Sequence, residues 1–557
     1  MQFEKITTQV LVIGGGGAAM RAALEANAAG AEVLMLSKGA AGYSGATYYS
    51  VAEIGAFNIP DGGIDKTDNP EAYYNDMMAA AQGAANPKLV RILAEEAQEH
   101  AKNYLEKHGL ELARSSGGGY LGYRACFSTR ARSYIIKDHF KPIMKVLREQ
   151  LGNTGVKIMS PFMVTGLLVK DGECFGALAI DCKTFKGYRI YANSVVVTTG
   201  GASTMFVHHM YPDDVTGDGY AIARRAGATM TNMEFLQAGL GLAHPKINLI
   251  GNQLWELEPR LANGKNESFV EKYIDNGCSV ADVISDKGKH FPFSVIDNSR
   301  FVEIGIQREM LAGNVTPNGN VYLDFTAVDF KGKFAASSRL KEMWPLTYDR
   351  FKSYGIDVYT QKLEIAVFAH CVNGGILIDE NAESSIKGLF AAGETAAGPH
   401  GADRLGGNMS VTCQVFGRRA GLAAASRAKK AGKVIEDETI IKGQKEYLAG
   451  FKDMRQEEIS ALKAELKKTV EENLLIIRNE QGLSKLLRAL SEASGKLKGG
   501  GNTEASESLL RTLELANLVE SARLMTSAAL ARKESRGSHY RSDFPNKDER
   551  LAHQIII

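Results

Sequence analysis

At 557 residues the chain is too long for one ordinary core, and two or three domains are expected. Apolar residues make up 44% and charged residues 23%, the balance of a globular rather than a disordered protein. A formal net charge of +2 gives no electrostatic reason for nucleic acid or an anionic surface as main partner, and no run approaches the roughly 20 uninterrupted apolar residues of a membrane-spanning helix.

The first segment, MQFEKITTQV, has no basic region followed by an apolar run, so no secretory signal is expected and a cytoplasmic location is the default. Gln9–Ile13 reads as a short buried strand, followed at once by Gly14, Gly15, Gly16 and Gly17. Ala18, Ala19, Ala22, Ala23 and Ala26 then crowd one face of a helix, and Glu32–Leu36 is the next strand, completing a βαβ unit. Between Met163 and Val197 strands alternate with turns. Lys170-Asp171-Gly172-Glu173 is an Asp-Gly hairpin signal, and Ser194–Val197 leads into Thr198-Thr199-Gly200-Gly201. From about Phe235 to Gly355 the pattern is irregular and mixed, which predicts a separate inserted domain. Strand-and-glycine character returns at Gly374–Ile378 and Gly388–Gly393. After about Lys430 the composition turns to Glu, Lys, Leu and Ala at helical spacing, with Leu509, Leu510, Leu513, Leu518, Ala522 and Met525 on one stripe. Lys496–Asn502 (KLKGGGN) breaks that helical region. Six cysteines (Cys126, Cys174, Cys182, Cys278, Cys371 and Cys413) are scattered without a CxxC, so iron–sulfur ligation, a zinc site, any other metal centre and a disulfide framework are not expected in this chain.

The run Val12–Ala19 matches GxGxxA, with Gly14, Gly16 and Ala19 at the three marked positions. Gly14 permits the tight turn, Gly16 lets a pyrophosphate approach the backbone, and Ala19 keeps helix and strand close. Gly17 and Ala18 open the helix whose N-terminus stabilises the phosphate charge. An acid usually follows the second strand to hold a ribose, but here the chain reads Leu36-Ser37-Lys38. A distant segment, Phe390-Ala391-Ala392-Gly393-Glu394, offers that acid instead. An acid returning from far along the chain is how flavoproteins close an FAD site, so FAD is expected rather than a nicotinamide cofactor, with Glu394 on the ribose hydroxyls.

Seven segments taken together resemble the flavoprotein family of fumarate reductase, succinate dehydrogenase and L-aspartate oxidase. They are VLVIGGGGAAMRAA, SKGAAGYSGAT (37–47), VVVTTGGA (195–202), TGDGYAIARRAGA (216–228), GLFAAGET (388–395), HGADRLGGNMS (400–410) and ESRGSHYRSDFP (534–545). The resemblance implies an α/β architecture: a Rossmann-like FAD-binding domain (1–235 and 355–428), an inserted α+β capping domain (236–354) and a C-terminal helical domain (429–557). It also brings Ser37, Lys38, Ser44, Gly45, Thr199, Gly200, Asp218, Asn408 and Ser410 to the implied cofactor site. The implied chemistry is hydride transfer between flavin N5 and a carbon beside a carboxylate, with an arginine as proton shuttle. By position, Arg300 matches the shuttle, although the aspartate that usually follows it is Phe301. His370 matches the carboxylate-binding histidine before the Gly-Gly pair, Arg404 matches the carboxylate-binding arginine, and His400 opens the same motif.

Two departures from the family pattern stand out. No histidine lies between Ser37 and Asn58, where flavin-linked members carry their covalent attachment. FAD is therefore expected to be non-covalent, and acid precipitation should leave a colourless pellet. A yellow pellet would refute the expectation. The second departure is Met233–Leu240, where the family reads FVQFHPTG and its histidine holds the far carboxylate of a four-carbon diacid. This chain has Ala238 and Gly239 there, with His244-Pro245 a few residues on. Losing one charge-assisted contact costs about 1.5–3 kcal/mol. The expectation is thus a small carboxylate substrate, an enoate or its saturated partner, other than plain fumarate. A fumarate reductase or succinate dehydrogenase subunit, with His244 displaced into the clamp, stays open. So does an electron-transfer flavoprotein subunit of a larger redox complex. Any iron–sulfur relay would belong to a partner chain.

Overall fold

The computed structural model describes residues 2–49, 54–115, 117–275, 277–432, 436–501 and 504–557, which leaves Asn502 of the expected helix break outside the described residues. Strand β1 (Phe3–Ile13), helix α1 (Gly17–Ala28) and strand β2 (Val33–Leu36) form the expected βαβ unit, with Ile13 opposite Leu36 in parallel register. Val10–Ile13 and Val33–Leu36 are buried throughout, as parallel strands covered on both faces must be. The sheet continues with β3 (Lys157–Met159) beyond β2 and with β6 (Gly187–Val197) on the other side of β1. The returning strand β10 (Leu389–Ala391) pairs in parallel with the C-terminal end of β6. The N-terminal half of β6 is paired instead by an antiparallel meander, β4 (Phe162–Lys170) and β5 (Glu173–Asp181). Their turn is the Asp171–Gly172 pair, with φ of 49° and 75°, the two positive values a tight hairpin of matching twist requires.

The alanine face of α1 packs on α3 (Asn408–Lys430), and the approach is set by small residues on both sides. A Cβ at Gly421 would lie 2.3 Å from the Ala22 carbonyl oxygen, so the two backbones touch. This fixes the N-terminus of α1 relative to the segment that carries Arg404.

The inserted region builds a five-stranded sheet around β7 (Leu236–His244), β8 (Val321–Asp324) and β9 (Leu363–Val372). Helix α2 (Arg300–Leu311) lies beside it. The central strand is β9, so the sheet of the cap extends past residue 354 and carries His370 and Cys371 near its end. The C-terminal part is helical, with α4 (Gln456–Leu474), α5 (Glu480–Leu497) and α6 (Glu507–Ala531), and the stripe Leu509 to Met525 is buried. No helix among the described residues is long and apolar enough to cross a membrane.

The segment 534–545 folds back beneath β7. Buried Arg532 bonds Glu234 (2.6 Å) and Glu534 (2.8 Å), Arg536 bonds Glu534 (2.7 Å), and Arg478 donates to the Glu234 carbonyl (2.6 Å). Buried charges this closely paired hold a geometry because removing one partner strands the other. The motif thereby anchors the residues that enter the cap.

Candidate active site

One elongated cleft runs from the glycine turn to His370 and Arg404, lined by β1, the 37–47 segment, the 198–218 loops and the 392–413 segment. At its phosphate end Gly14 takes φ +135°, and a Cβ there would lie 2.4 Å from the Thr198 oxygen. Gly16 is the N-cap of α1, its backbone extended and without a side-chain cap, and a Cβ on it would meet nothing within 4 Å. The first-turn N–H groups of α1 therefore face open cleft, as a pyrophosphate requires. Gly17 and Ala18 line the same end, whereas Ala19 is buried in the sheet–helix contact, the packing role expected of it.

Ser37, Lys38, Ser44, Gly45, Thr199, Gly200, Asp218 and Ser410 also line the cleft. Lys38 and Asp218 face each other across it at 2.8 Å, with Glu514 of α6 also 2.8 Å from the ammonium. Burial alone would lower the Lys38 pKa, but the two carboxylates hold it above its ordinary value. Asp218 also accepts from Asn517 at 2.8 Å, so the rim of the cleft is tied to the C-terminal helices. Ser410 bonds the Gly407 carbonyl (2.9 Å) in the first turn of α3.

At the other end Arg404 is 7% exposed, donates to the Leu405 carbonyl at 2.9 Å, and leaves its Nε without an acceptor. Among the described residues no carboxylate stands within ion-pair distance of it. Burial works against its charge, while Cys371, Tyr211 and Glu394 hold its pKa above the ordinary value. His370 leaves Nδ1 unpartnered, and burial followed by the Arg404 charge pushes its pKa down to about 3. Its ring is thus neutral and can donate or accept one hydrogen bond. A buried cation and an unsatisfied imidazole lining the same end of the cleft are chemically suited to a carboxylate. Gln237 holds the backbone here, donating to the Arg404 carbonyl (2.9 Å) and accepting from the Cys371 thiol (3.3 Å).

Other expected residues stand elsewhere. Arg300 opens α2, with its guanidinium on the carbonyls of Asp297 (3.0 Å) and Val295 (3.5 Å), and it does not line the cleft. His400 is buried against Thr412 (3.0 Å), and burial pushes its pKa down to about 3; it too lies outside the lining. Asn408 accepts from the Tyr73 hydroxyl (2.7 Å) and Asn58 (2.5 Å), which braces the start of α3 behind the wall. His244 is exposed at the end of β7, paired in register with Glu364, and so stands apart from the carboxylate end. Glu394 does line the cleft, but both its oxygens are engaged, one by the Tyr211 hydroxyl (2.5 Å) and one by the Val372 N–H (3.0 Å).

Three further residues stand near this end, of which Tyr211 and Phe291 carried no signal in the sequence and Asp403 lies inside the 400–410 segment. Tyr211 lines the cleft with its ring 6.2 Å from that of His370. Phe291 of the cap stands edge-on to His370 at 6.3 Å and lies over Gly239, where a Cβ would come 2.3 Å from the ring. Asp403, beside Arg404, accepts from Ser294 of the cap at 2.7 Å, and burial pushes its pKa up to about 7.

Comparison with known proteins places the chain in a family. Residues 9–410 match the model of an FAD binding domain, and residues 463–556 match that of the fumarate reductase flavoprotein C-terminus. A fumarate reductase (CoM/CoB) subunit from Methanothermobacter marburgensis is 30% identical over 100% of this chain and 98% of its own length. An L-aspartate oxidase from Bacillus subtilis is 27% identical over 97% and 92%. The structure of Mycobacterium smegmatis Sdh1 in complex with UQ1 superimposes with a TM-score of 0.83 at 26% identity, covering 98% of this chain and 90% of that one.

Proposed function

The chain belongs to the FAD-binding fumarate reductase flavoprotein family, and from that premise we propose that it moves hydride between FAD and the carbon–carbon bond of a carboxylate whose far end is apolar or bulky. The observation that carries the reading is Arg404, a buried cation with an unpaired Nε, set beside the unsatisfied ring of His370. Removing a guanidinium from water without an acid to pair it is costly. A substrate carboxylate restores that balance, and the planar fork accepts it in two-point fashion.

FAD fits the cleft through the open N-terminus of α1 and the space over Gly16, and when bound it supplies hydride chemistry at N5. We take it to be held without a covalent bond. The chain's own residues orient the substrate. Arg404 neutralises the carboxylate and draws electron density from the adjacent double bond, and His370 fixes its rotation. The Phe291 ring over Gly239 supports an apolar far end, because it fills the space where a second anion-binding side chain would stand. Any iron–sulfur relay belongs to a partner subunit.

The test is a panel of unsaturated acids as oxidants of the dye-reduced holoenzyme. Crotonate and cinnamate are expected to exceed fumarate in kcat/KM by about tenfold or more, the worth of one missing charge-assisted contact. Fumarate as the best oxidant would show that a second anion grip exists and would refute the apolar-end assignment.

A further inference from the structure

We propose that Tyr211, backed by Glu394, delivers the proton that accompanies hydride transfer, the task that the resemblance gives to Arg300. The inference rests on the carboxylate reading above. One guanidinium nitrogen of Arg300, Nη1, donates to carbonyls of its own segment, and the side chain does not line the cleft. The cap side chain that faces His370 is Phe291, which has no proton to give. Tyr211 stands at the carboxylate end of the cleft. It is 6% exposed, lines the cleft, shares a buried cluster with Val215 and Cys371 against which Ala46 and Met409 pack, and stands edge-on to His370. Its hydroxyl meets Glu394 at 2.5 Å.

The step balances as follows. In the reductive direction a hydride from the reduced cofactor arrives at the β carbon of the enoate. The Tyr211 O–H bond breaks as a C–H bond forms at the α carbon. The phenolate oxygen takes the proton of the neutral Glu394 carboxyl, and the carboxylate then recovers a proton from water. The cofactor is oxidised by two electrons and the double bond is reduced by the same two.

Glu394 can hold that proton near neutrality. Burial pushes its pKa up to about 7, against the hydrogen bonds from Tyr211 and the Val372 N–H and against the charge of Arg404. The other titratable groups facing it are Cys371 on β9, Cys413 on α3 and Tyr220, whose hydroxyl bonds the Glu394 carbonyl. Each of these is neutral at physiological pH, so Arg404 is the one fixed charge among them. The relay is loaded below about pH 7 and empties as pH rises through that value.

The experiment uses dithionite-reduced holoenzyme, reoxidised anaerobically by crotonate, by fumarate or by ferricyanide. Tyr211→Phe is expected to slow reoxidation by the carboxylates at least about 100-fold, the lower range for a lost general acid. It should leave FAD content and reoxidation by ferricyanide, which needs no proton on carbon, unchanged. Glu394→Gln should abolish the fall in carboxylate rate above pH 7 and remove from the infrared spectrum a protonated-carboxyl band that titrates in the same range. Arg300→Ala should keep the carboxylate rate. Carboxylate reoxidation at the parental rate in Tyr211→Phe overturns the proposal, as does equal slowing with ferricyanide or collapse in Arg300→Ala. If Tyr211→Phe fails to hold FAD, the Glu394→Gln pH profile decides, and a profile like the parent's overturns it. If neither carboxylate reoxidises the parent enzyme, the carboxylate reading itself falls. Turnover by the parent with an indifferent Tyr211→Phe removes only the relay.

Discussion

Arg404→Gln is expected to lower kcat/KM for the preferred enoate about a thousandfold while FAD stays bound. Two charge-assisted hydrogen bonds to one carboxylate are worth about 1.5–3 kcal/mol each, which together spans roughly 10²- to 10⁴-fold. Glutamine keeps much of the volume and one donor but loses both the charge and the fork. Arg404→Lys should recover little, because a point charge cannot repeat the two-point contact. The Arg404→Gln variant is also expected to melt at a slightly higher temperature than the parent in the absence of substrate. The guanidinium is 7% exposed and its Nε has no acceptor, so the free enzyme carries an uncompensated desolvation cost. Steady-state kinetics on the enoate panel and a thermal melt check both halves. Activity retained within a few-fold would show that the carboxylate is bound elsewhere.

The second large effect belongs to the glycine turn. Gly16→Val should give a folded protein that purifies without FAD, with the FAD Kd raised more than about hundredfold, the loss of roughly 2.7 kcal/mol of phosphate contact. A Cβ at 16 meets no protein atom within 4 Å, so the fold should accept a small side chain there, which would occupy the space above the first-turn amides. Gly14→Ala should fail differently. Its φ of +135° and a Cβ 2.4 Å from the Thr198 oxygen force β1 and β6 apart, so lost stability should accompany lost cofactor. Flavin absorbance of the purified proteins and circular dichroism separate the two. Normal FAD content in Gly16→Val would refute the phosphate assignment.

The contrast between these sites shows what the amino-acid order encodes locally. The glycine turn, the Asp171–Gly172 hairpin and the alanine face of α1 rest on backbone conformation or helical spacing, and each can be read within a few residues. Arg404 and His370 were legible because their neighbours match family segments. Arg300 matched its segment as well, yet its guanidinium turns to the Val295 and Asp297 carbonyls, an orientation decided by how α2 meets its preceding loop. Phe291 and Tyr211 had no signal at all. Their significance arises from tertiary contacts with Gly239 and Glu394, which no local pattern announces. The missing clamp at Ala238 and Gly239 was visible as a gap; what fills it was not.

The cap takes its central strand, β9, from the stretch of chain that carries His370 and Cys371, and Val372 bonds Glu394 directly. Any movement of the cap sheet is therefore expected to carry His370, Cys371 and the Val372 amide with it. If product leaves by rotation of the cap sheet, that rotation would pull on the imidazole proposed to hold its carboxylate and on the amide that bonds Glu394. On the proposed function, a change that stiffens β9 should tighten binding and slow turnover together.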